Sequence, residues 1–208
     1  MPQIQTPVNL LSDATIDFFF WEITETVEDL LTHFENPGNK KSQLEEFSNN
    51  TTRQKEWLVI RLLLKEVLGT KVEIAYTASG CPYLVGSTLH IRISHSHNYV
   101  LLALAKGPFG VDLEVWSSRA LQFKQKFLSL DECSFLHLED PEKMAVRLWS
   151  AKESCYKHLG TSGISLKNDI NLMNCSVGFE ARVTNREEPI PIFFQDYPSY
   201  VLTWTRPE

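Results

Sequence analysis

Apolar positions along the chain recur with two periods, and the switches between them predict its elements. Ala14 to Ile23 is β-branched and aromatic, as a buried strand requires. Thr26 to Glu35 places Val27, Leu30, Leu31 and Phe34 at helical spacing. Asn36 to Lys41 carries Pro37-Gly38 and reads as a loop, with a helical turn over Gln43 to Phe47. The clearest helix of the first half runs from Arg53 to Leu68. Trp57, Ile60, Leu64 and Leu68 form its stripe, Leu63 and Val67 widen it, and Asn50, Thr51 or Thr52 caps it before Gly69 stops it. Lys71 to Tyr76 reads as a strand and Ala78 to Pro82 as a turn. Leu89 to Ile93 and Tyr99 to Ala105 are two further strands, joined by the polar connection Ser94-His95-Ser96-His97-Asn98.

Lys106-Gly107-Pro108 breaks the pattern, and the order then repeats. A strand over Phe109 to Val115 leads into a helical region over Arg119 to Leu128. Ser129 to Glu132 has the residues of a capping box that opens another helix. A long helix from Pro141 to Leu159 ends at Gly160, followed by strands at Ile170–Leu172, Ser176–Val183, Ile190–Gln195 and Tyr200–Trp204. Leu62 to Thr70 (LLLKEVLGT) and Ser154 to Thr161 (SCYKHLGT) both close a helix on Leu-Gly-Thr. This weak repeat predicts an α+β fold of two similar α/β halves, 1–107 and 108–208, in pseudo-twofold arrangement with the active site in the cleft between them.

The polar positions carry the candidate chemistry. On the long helix, Trp149, Glu153 and Lys157 stand four residues apart and share a face. On the strand Gly110-Val111-Asp112-Leu113-Glu114, alternation puts Asp112 and Glu114 on one face and Val111 and Leu113 on the other. If the two faces meet, three carboxylates converge. Such a cluster calls for a hard, oxygen-seeking cation, Mg²⁺ most naturally. The same spacing also fits a surface helix with an ordinary Glu/Lys pair beside a half-exposed strand. The serines and histidines of 94–98 fit either plain turn chemistry or donors to a phosphate, and Arg53 and Arg61 fit solvated helix charge.

Composition narrows the classes. The 208 residues are 43% hydrophobic and 22% charged, ordinary for a globular chain, and they allow one domain or two small halves. A net charge of −6 argues against generic nucleic-acid or anionic-membrane binding while leaving room for a local basic pocket. Cys81, Cys133, Cys155 and Cys175 form no CxxC pair, so neither a zinc site nor a disulfide framework is expected, and reduced thiols imply a cytoplasmic setting. Met1 to Asp13 lacks the pattern of a targeting segment, and Phe18 to Trp21 is too short to span a membrane.

FGVDLE (Phe109 to Glu114) followed by WSAKESCYK (Trp149 to Lys157) resembles the paired signature of the 4′-phosphopantetheinyl transferases, and ISHS (Ile93 to Ser96) resembles an upstream motif of that family. Order and spacing are similar to the larger, two-half, surfactin-synthetase-activating type over roughly residues 50–170. The resemblance implies transfer of the 4′-phosphopantetheine arm of coenzyme A to a serine of an apo acyl or peptidyl carrier protein, leaving adenosine 3′,5′-bisphosphate. It implies Mg²⁺ on Asp112, Glu114 and Glu153. Glu153 or a metal-activated water would be the base, and Lys157 would hold phosphate and stabilise developing charge. It further implies coenzyme A contacts from Ser94, His95 and Arg53, with Arg61 a less close match, and a monomer without nucleic-acid or membrane partners. Arg119, Lys124 and Lys126 are candidate contacts for an acidic carrier. The chain departs from the family where a basic GKP turn is common, having Gly80-Cys81-Pro82, with Tyr76 and Ser79 also uncharged. Thr161 and Ser162 likewise stand where basic residues often follow the signature helix, so the 3′-phosphate grip is thinner, with Arg92 a possible replacement. The other reading is a non-catalytic module of the same fold that holds coenzyme A or a carrier protein without turnover.

Overall fold

A computed structural model describes residues 15–47, 50–69, 72–175 and 178–208. Strand β1 (Ile16–Glu22) is followed by three helices, α1 (Val27–Leu31), α2 (Pro37–Leu44) and α3 (Thr51–Leu68). Strands β2 (Ile74–Tyr76), β3 (Pro82–Leu84), β4 (His90–Ser96), β5 (Tyr99–Ala105) and β6 (Val111–Val115) come next, then the short helix α4 (Arg119–Gln122) and the long helix α5 (Pro141–Leu159). Strands β7 (Ile170–Cys175), β8 (Gly178–Val183), β9 (Ile190–Asp196) and β10 (Tyr200–Thr205) close the chain. The fold is α+β. All strand pairs are antiparallel, in a three-stranded sheet β1-β5-β4, a five-stranded sheet β6-β10-β9-β8-β7 and the hairpin β2-β3. Among the described residues no helix is long and apolar enough to cross a membrane.

Strand alternation sorts the side chains into three cores. Trp21, Val100, Leu102 and Leu104 face α3, where Leu58, Leu62 and Leu63 meet them. The opposite face of the same strands, Ile16, Phe18, Leu101 and Ala103, packs on Val111 and Leu113 of β6 and Leu202 and Trp204 of β10. A third core lies where Met144, Leu148, Ala151 and Cys155 of α5 cover Ile170, Leu172, Phe179 and Ile192. Strand β5 is buried on both faces, which is why its sequence is an apolar run rather than an alternation.

Several expectations shift at their edges. The segment from Asn36 is helix rather than loop: Pro37 sits in the first turn, where its missing N–H costs nothing, and Leu44 anchors the last. The capping residues Ser129 and Glu132 do bond reciprocally, at 3.3 and 2.7 Å, but they open a 3₁₀ helix over Glu132–His137. Ser94, His95 and Ser96 belong to β4 rather than to a connection, and the turn falls at His97 and Asn98, with His97 at φ 55°. Asn50 caps α3, accepting the Arg53 N–H at 3.1 Å. Parts of three expected strands, at Ala14, Lys71 and Ser176–Val177, and the Thr70 of the Leu-Gly-Thr echo lie outside the described residues, as does Met1 to Asp13. The four cysteines are free thiols.

The contact that positions the site is that of α5 on β6 and β10. A Cβ at Gly110 would stand 1.7 Å from the Ser154 carbonyl oxygen and 2.7 Å from the His158 nitrogen, so only glycine lets the helix backbone come so close. Small hydroxyls fill the rest of the seam: Thr203 Oγ1 donates to the Ser150 carbonyl at 2.8 Å, and Ser154 Oγ to the Thr203 carbonyl at 3.1 Å. Gly110→Ala should therefore destabilise the fold by about 3 kcal/mol through overpacking against backbone. That is a fall of roughly 6–12 °C in Tm at about 2–4 °C per kcal/mol; an unchanged Tm in calorimetry would show that α5 is not seated on this glycine.

Candidate functional site

The edges of the two sheets meet at β4 and β6, and two serines join them. Ser94 Oγ accepts the Leu113 N–H at 3.0 Å and donates to Asp112 Oδ1 at 2.8 Å. Ser96 Oγ accepts the Val115 N–H at 3.2 Å and donates to Glu114 Oε2 at 2.8 Å. The expected alternation on β6 holds, with Val111 and Leu113 in the core between the sheets. From α5, Trp149 Nε1 donates to Glu114 Oε1 at 3.0 Å, and Lys157 Nζ lies 2.6 Å from Asp112 Oδ1 and 3.1 Å from Ser94 Oγ. The tryptophan ring also packs edge-on against Phe127, with centroids 5.1 Å apart.

The cluster is electrostatically overloaded. Asp112 is 3% exposed, and its Oδ2 is buried without a hydrogen-bond partner among the described residues. Burial, with the Asp112 charge adding to it, pushes Glu114 up to about 7 against the opposing hydrogen bonds of Ser96 and Trp149. Burial and the same Asp112 charge push Glu153 up to about 7, with Lys157 opposing. Among the described residues no set of three or more His, Cys, Asp or Glu side chains is already drawn together as a metal-ligand group. Lys157 is the cation paired with Asp112. The donor set nevertheless suits a hard dication: all oxygen, one of it orphaned, in surroundings that disfavour uncompensated negative charge.

A cleft of about 370 Å³ opens beside this cluster, walled by α3, the turn between β2 and β3, β4 and α5. Arg53, Arg61, His95, Glu153 and Lys157 all line it, so five sequence-selected residues are brought to one cavity. Ser94 lies behind the cleft wall and is not among the lining residues. Its single donor and both acceptor positions are occupied by Asp112, Leu113 and Lys157.

Residues 108–205 match the family model described as the 4′-phosphopantetheinyl transferase superfamily. Over these residues the chain is similar to that superfamily. A 4′-phosphopantetheinyl transferase of Bacillus subtilis is 33% identical over 94 residues, which cover 43% of this chain and 42% of that protein. The 4′-phosphopantetheinyl transferase ffp of Bacillus subtilis is 32% identical over 119 residues, 54% of this chain and 53% of the relative. The gsp transferase of Aneurinibacillus migulanus is 27% identical over 142 residues, 65% of this chain and 60% of the relative. The chain spans about half the length of the curated relatives it matches.

Where the sequence lacks basic residues beside the cleft, the structure shows what stands there instead. Tyr76, Ser79, Gly80, Cys81 and Pro82 form an uncharged wall, and Ser79 Oγ ties it to α5 by donating to the Gly160 carbonyl at 3.2 Å. Arg92 is buried rather than turned to solvent. Its Nε donates to the Lys157 carbonyl at 2.9 Å and its Nη1 to the Ile91 carbonyl at 2.9 Å, so it caps the end of α5. Arg61 stacks on Trp57, its guanidinium carbon 3.5 Å from the ring centre, and burial lowers its pKa.

Two pairings were not foreseen from sequence. Lys152 is fully buried and donates to Glu132 Oε2 at 2.7 Å and to the carbonyls of Leu166 and Ile170 at 2.8 and 2.7 Å. Its neighbour Glu153 is thereby aimed the other way, into the cleft. Glu56, also buried, holds Arg53. Helical spacing from Trp57 places Glu56 beside the apolar stripe, which is the one signal the sequence offered.

The raised carboxyls fix a sign. A carboxyl whose folded-state pKa is raised binds its proton more tightly in the native state, so its stabilising effect is full below about 4.5 and is lost as pH rises through about 7. In the presence of EDTA, Tm should fall between about pH 5 and about pH 8, and Glu153→Gln should flatten that fall. An identical slope in the variant would contradict the shared burial of the three acids.

Proposed function

We propose that the chain transfers the 4′-phosphopantetheine group from coenzyme A to a serine of an acyl or peptidyl carrier protein, with Mg²⁺ required and adenosine 3′,5′-bisphosphate as the second product. The observation that carries this reading is the orphaned, buried Asp112 Oδ2 facing a helix that brings Lys157 to the same carboxyl and Glu153 to the adjoining cleft. Asp112, Glu114 and Glu153 would hold the ion, which when bound offsets pyrophosphate charge at the reacting phosphorus.

Each residue then has a role its placement supports. Arg53 and Arg61 grip the phosphates of coenzyme A along the α3 side of the cleft, with His95 beside Arg53 on the same wall. Lys157, fixed between Asp112 and Ser94, stabilises charge as the carrier serine oxygen bonds to phosphorus and the bond to the departing nucleotide breaks. Glu153, which lines the cleft, receives the serine proton. Ser94 and Ser96 orient the acids and do not touch the substrate.

The carrier approaches from the other side of Glu114. Arg119 and Lys126 line a second cavity of about 430 Å³ together with Glu114 and Trp149, and Lys124 lies in the adjacent turn. Phe123 presents exposed apolar surface there. An acidic carrier helix fits this mixture of basic and apolar groups, although the chain as a whole carries a charge of −6. We read residues 1–107 and 108–208 as pseudo-twofold halves, each a long helix on an antiparallel sheet, that act as a cytoplasmic monomer without nucleic-acid or membrane partners.

Asp112→Ala and Glu153→Ala should each lower labelling of an apo carrier protein by a fluorescent coenzyme A conjugate by about 10³-fold or more. EDTA should stop the native reaction and Mg²⁺ restore it, with mass spectrometry detecting the gain of one phosphopantetheine. Full activity in either variant would remove the metal-site assignment. Nucleotide binding without the mass gain would identify a non-catalytic module instead.

A further inference from the structure

Glu56 is an acid in a cleft otherwise furnished for anions. It is 6% exposed, on α3 one turn after Arg53. Its Oε2 accepts from Arg53 Nη1 at 3.0 Å, and its Oε1 lies 3.4 Å from His95 Nδ1. Arg53 Nη1 also stands 2.8 Å from His95 Nε2, which closes a ring of three side chains. A guanidinium has donors and no acceptor, so His95 Nε2 must accept from it. The imidazole hydrogen is therefore on Nδ1, the nitrogen 3.4 Å from Glu56 Oε1.

We propose that Glu56 is the positioning residue of the phosphate grip: it anchors Arg53 against the cleft wall and fixes the tautomer and orientation of His95, which braces the same guanidinium from its other side. The inference rests on the coenzyme A reading of this cleft. Arg53 needs an anchor because its side chain is 54% exposed, at the first turn of α3, and an unanchored arginine would spread over many rotamers in water. Glu56 spends one nitrogen of the guanidinium and leaves Nε and Nη2 for a phosphate. On the imidazole, burial and the charges of Arg53 and Lys157 disfavour the protonated ring, while Glu56 and Asp112 favour it. Glu56 is the one of these that also lies against Nδ1. Paired with Arg53, its charge is largely offset, so it organises the site more than it repels a ligand.

Two measurements test this. Nitrogen-15 NMR of histidine-labelled protein, with His95 assigned through His95→Gln, should find the neutral ring protonated on Nδ1, and Glu56→Leu should shift it toward the Nε2–H form. Calorimetric titration with adenosine 3′,5′-bisphosphate should show about tenfold weaker binding in Glu56→Leu, the cost of ordering freed side chains. Glu56→Gln, which keeps an acceptor, should stay within about threefold of native. In turnover, KM for coenzyme A should rise in Glu56→Leu with kcat unchanged. A native His95 protonated on Nε2 overturns the proposal without any variant, so a misfolded Glu56→Leu leaves it decidable. Unchanged or tighter binding in a folded Glu56→Leu overturns it too, and would make Glu56 a plain repeller of anions. If native protein binds no nucleotide, the coenzyme A reading fails, while the tautomer experiment still judges the ring of side chains.

Discussion

Carboxyl groups gather at the junction of β6 and α5 in excess of the positive charge set against them. Like charges about 4 Å apart in surroundings of effective dielectric about 20 repel by about 4 kcal/mol. A single hydrogen bond returns about 1 kcal/mol net, so the bonds from Ser94, Ser96 and Trp149 orient the acids without cancelling their repulsion. Lys157 offsets Asp112 in part, and Glu114 and Glu153 take up the remainder by holding protons more tightly than exposed glutamates do. A further cation would relieve such a buried cluster, in which one oxygen has no partner among the described residues.

The rest of the structure serves that juxtaposition. Gly110 and the hydroxyl seam of Ser150, Ser154 and Thr203 let α5 lie close on β6 and β10. The serines of β4 replace a missing ladder between two sheet edges, and in doing so they aim Asp112 and Glu114. Lys152, held by Glu132 and two carbonyls on the far side of α5, fixes the rotation of the helix about its axis. Removing either partner would leave an uncompensated buried charge, a loss of about 3–5 kcal/mol. Rotation of α5 sets what Trp149, Glu153 and Lys157 can reach.

Much of this was legible in the sequence, for identifiable reasons. The periods of α3, α5, β1, β5, β6 and β10 are long and strongly patterned, and period is the signal that survives tertiary context. The four-residue spacing of Trp149, Glu153 and Lys157 and the alternation of Asp112 with Glu114 translate directly into shared faces. What escaped depended on partners distant in the chain. Pro37 reads as a breaker until its place in a first turn is known. Ser94 fits turn chemistry or a phosphate donor equally until β6 and Lys157 are laid beside it and bond its hydroxyl. The Lys152–Glu132 pair looks like solvated charge, because nothing local marks it as buried, and Glu56 carries only its place beside the apolar stripe as a sign. Arg92 needed the end of α5 to explain its orientation.

The account stands on the acids of β6 and α5 sharing one dication beside the nucleotide cleft. Crystals grown with Mn²⁺ and coenzyme A, measured at the manganese edge, address that most directly, because the anomalous signal locates the ion without reference to activity. The account predicts one strong peak in contact with the free oxygen of Asp112 and with Glu114 or Glu153, adjoining the coenzyme A pyrophosphate. A well-ordered nucleotide with no anomalous peak at Asp112, or with its peak elsewhere in the chain, would contradict it.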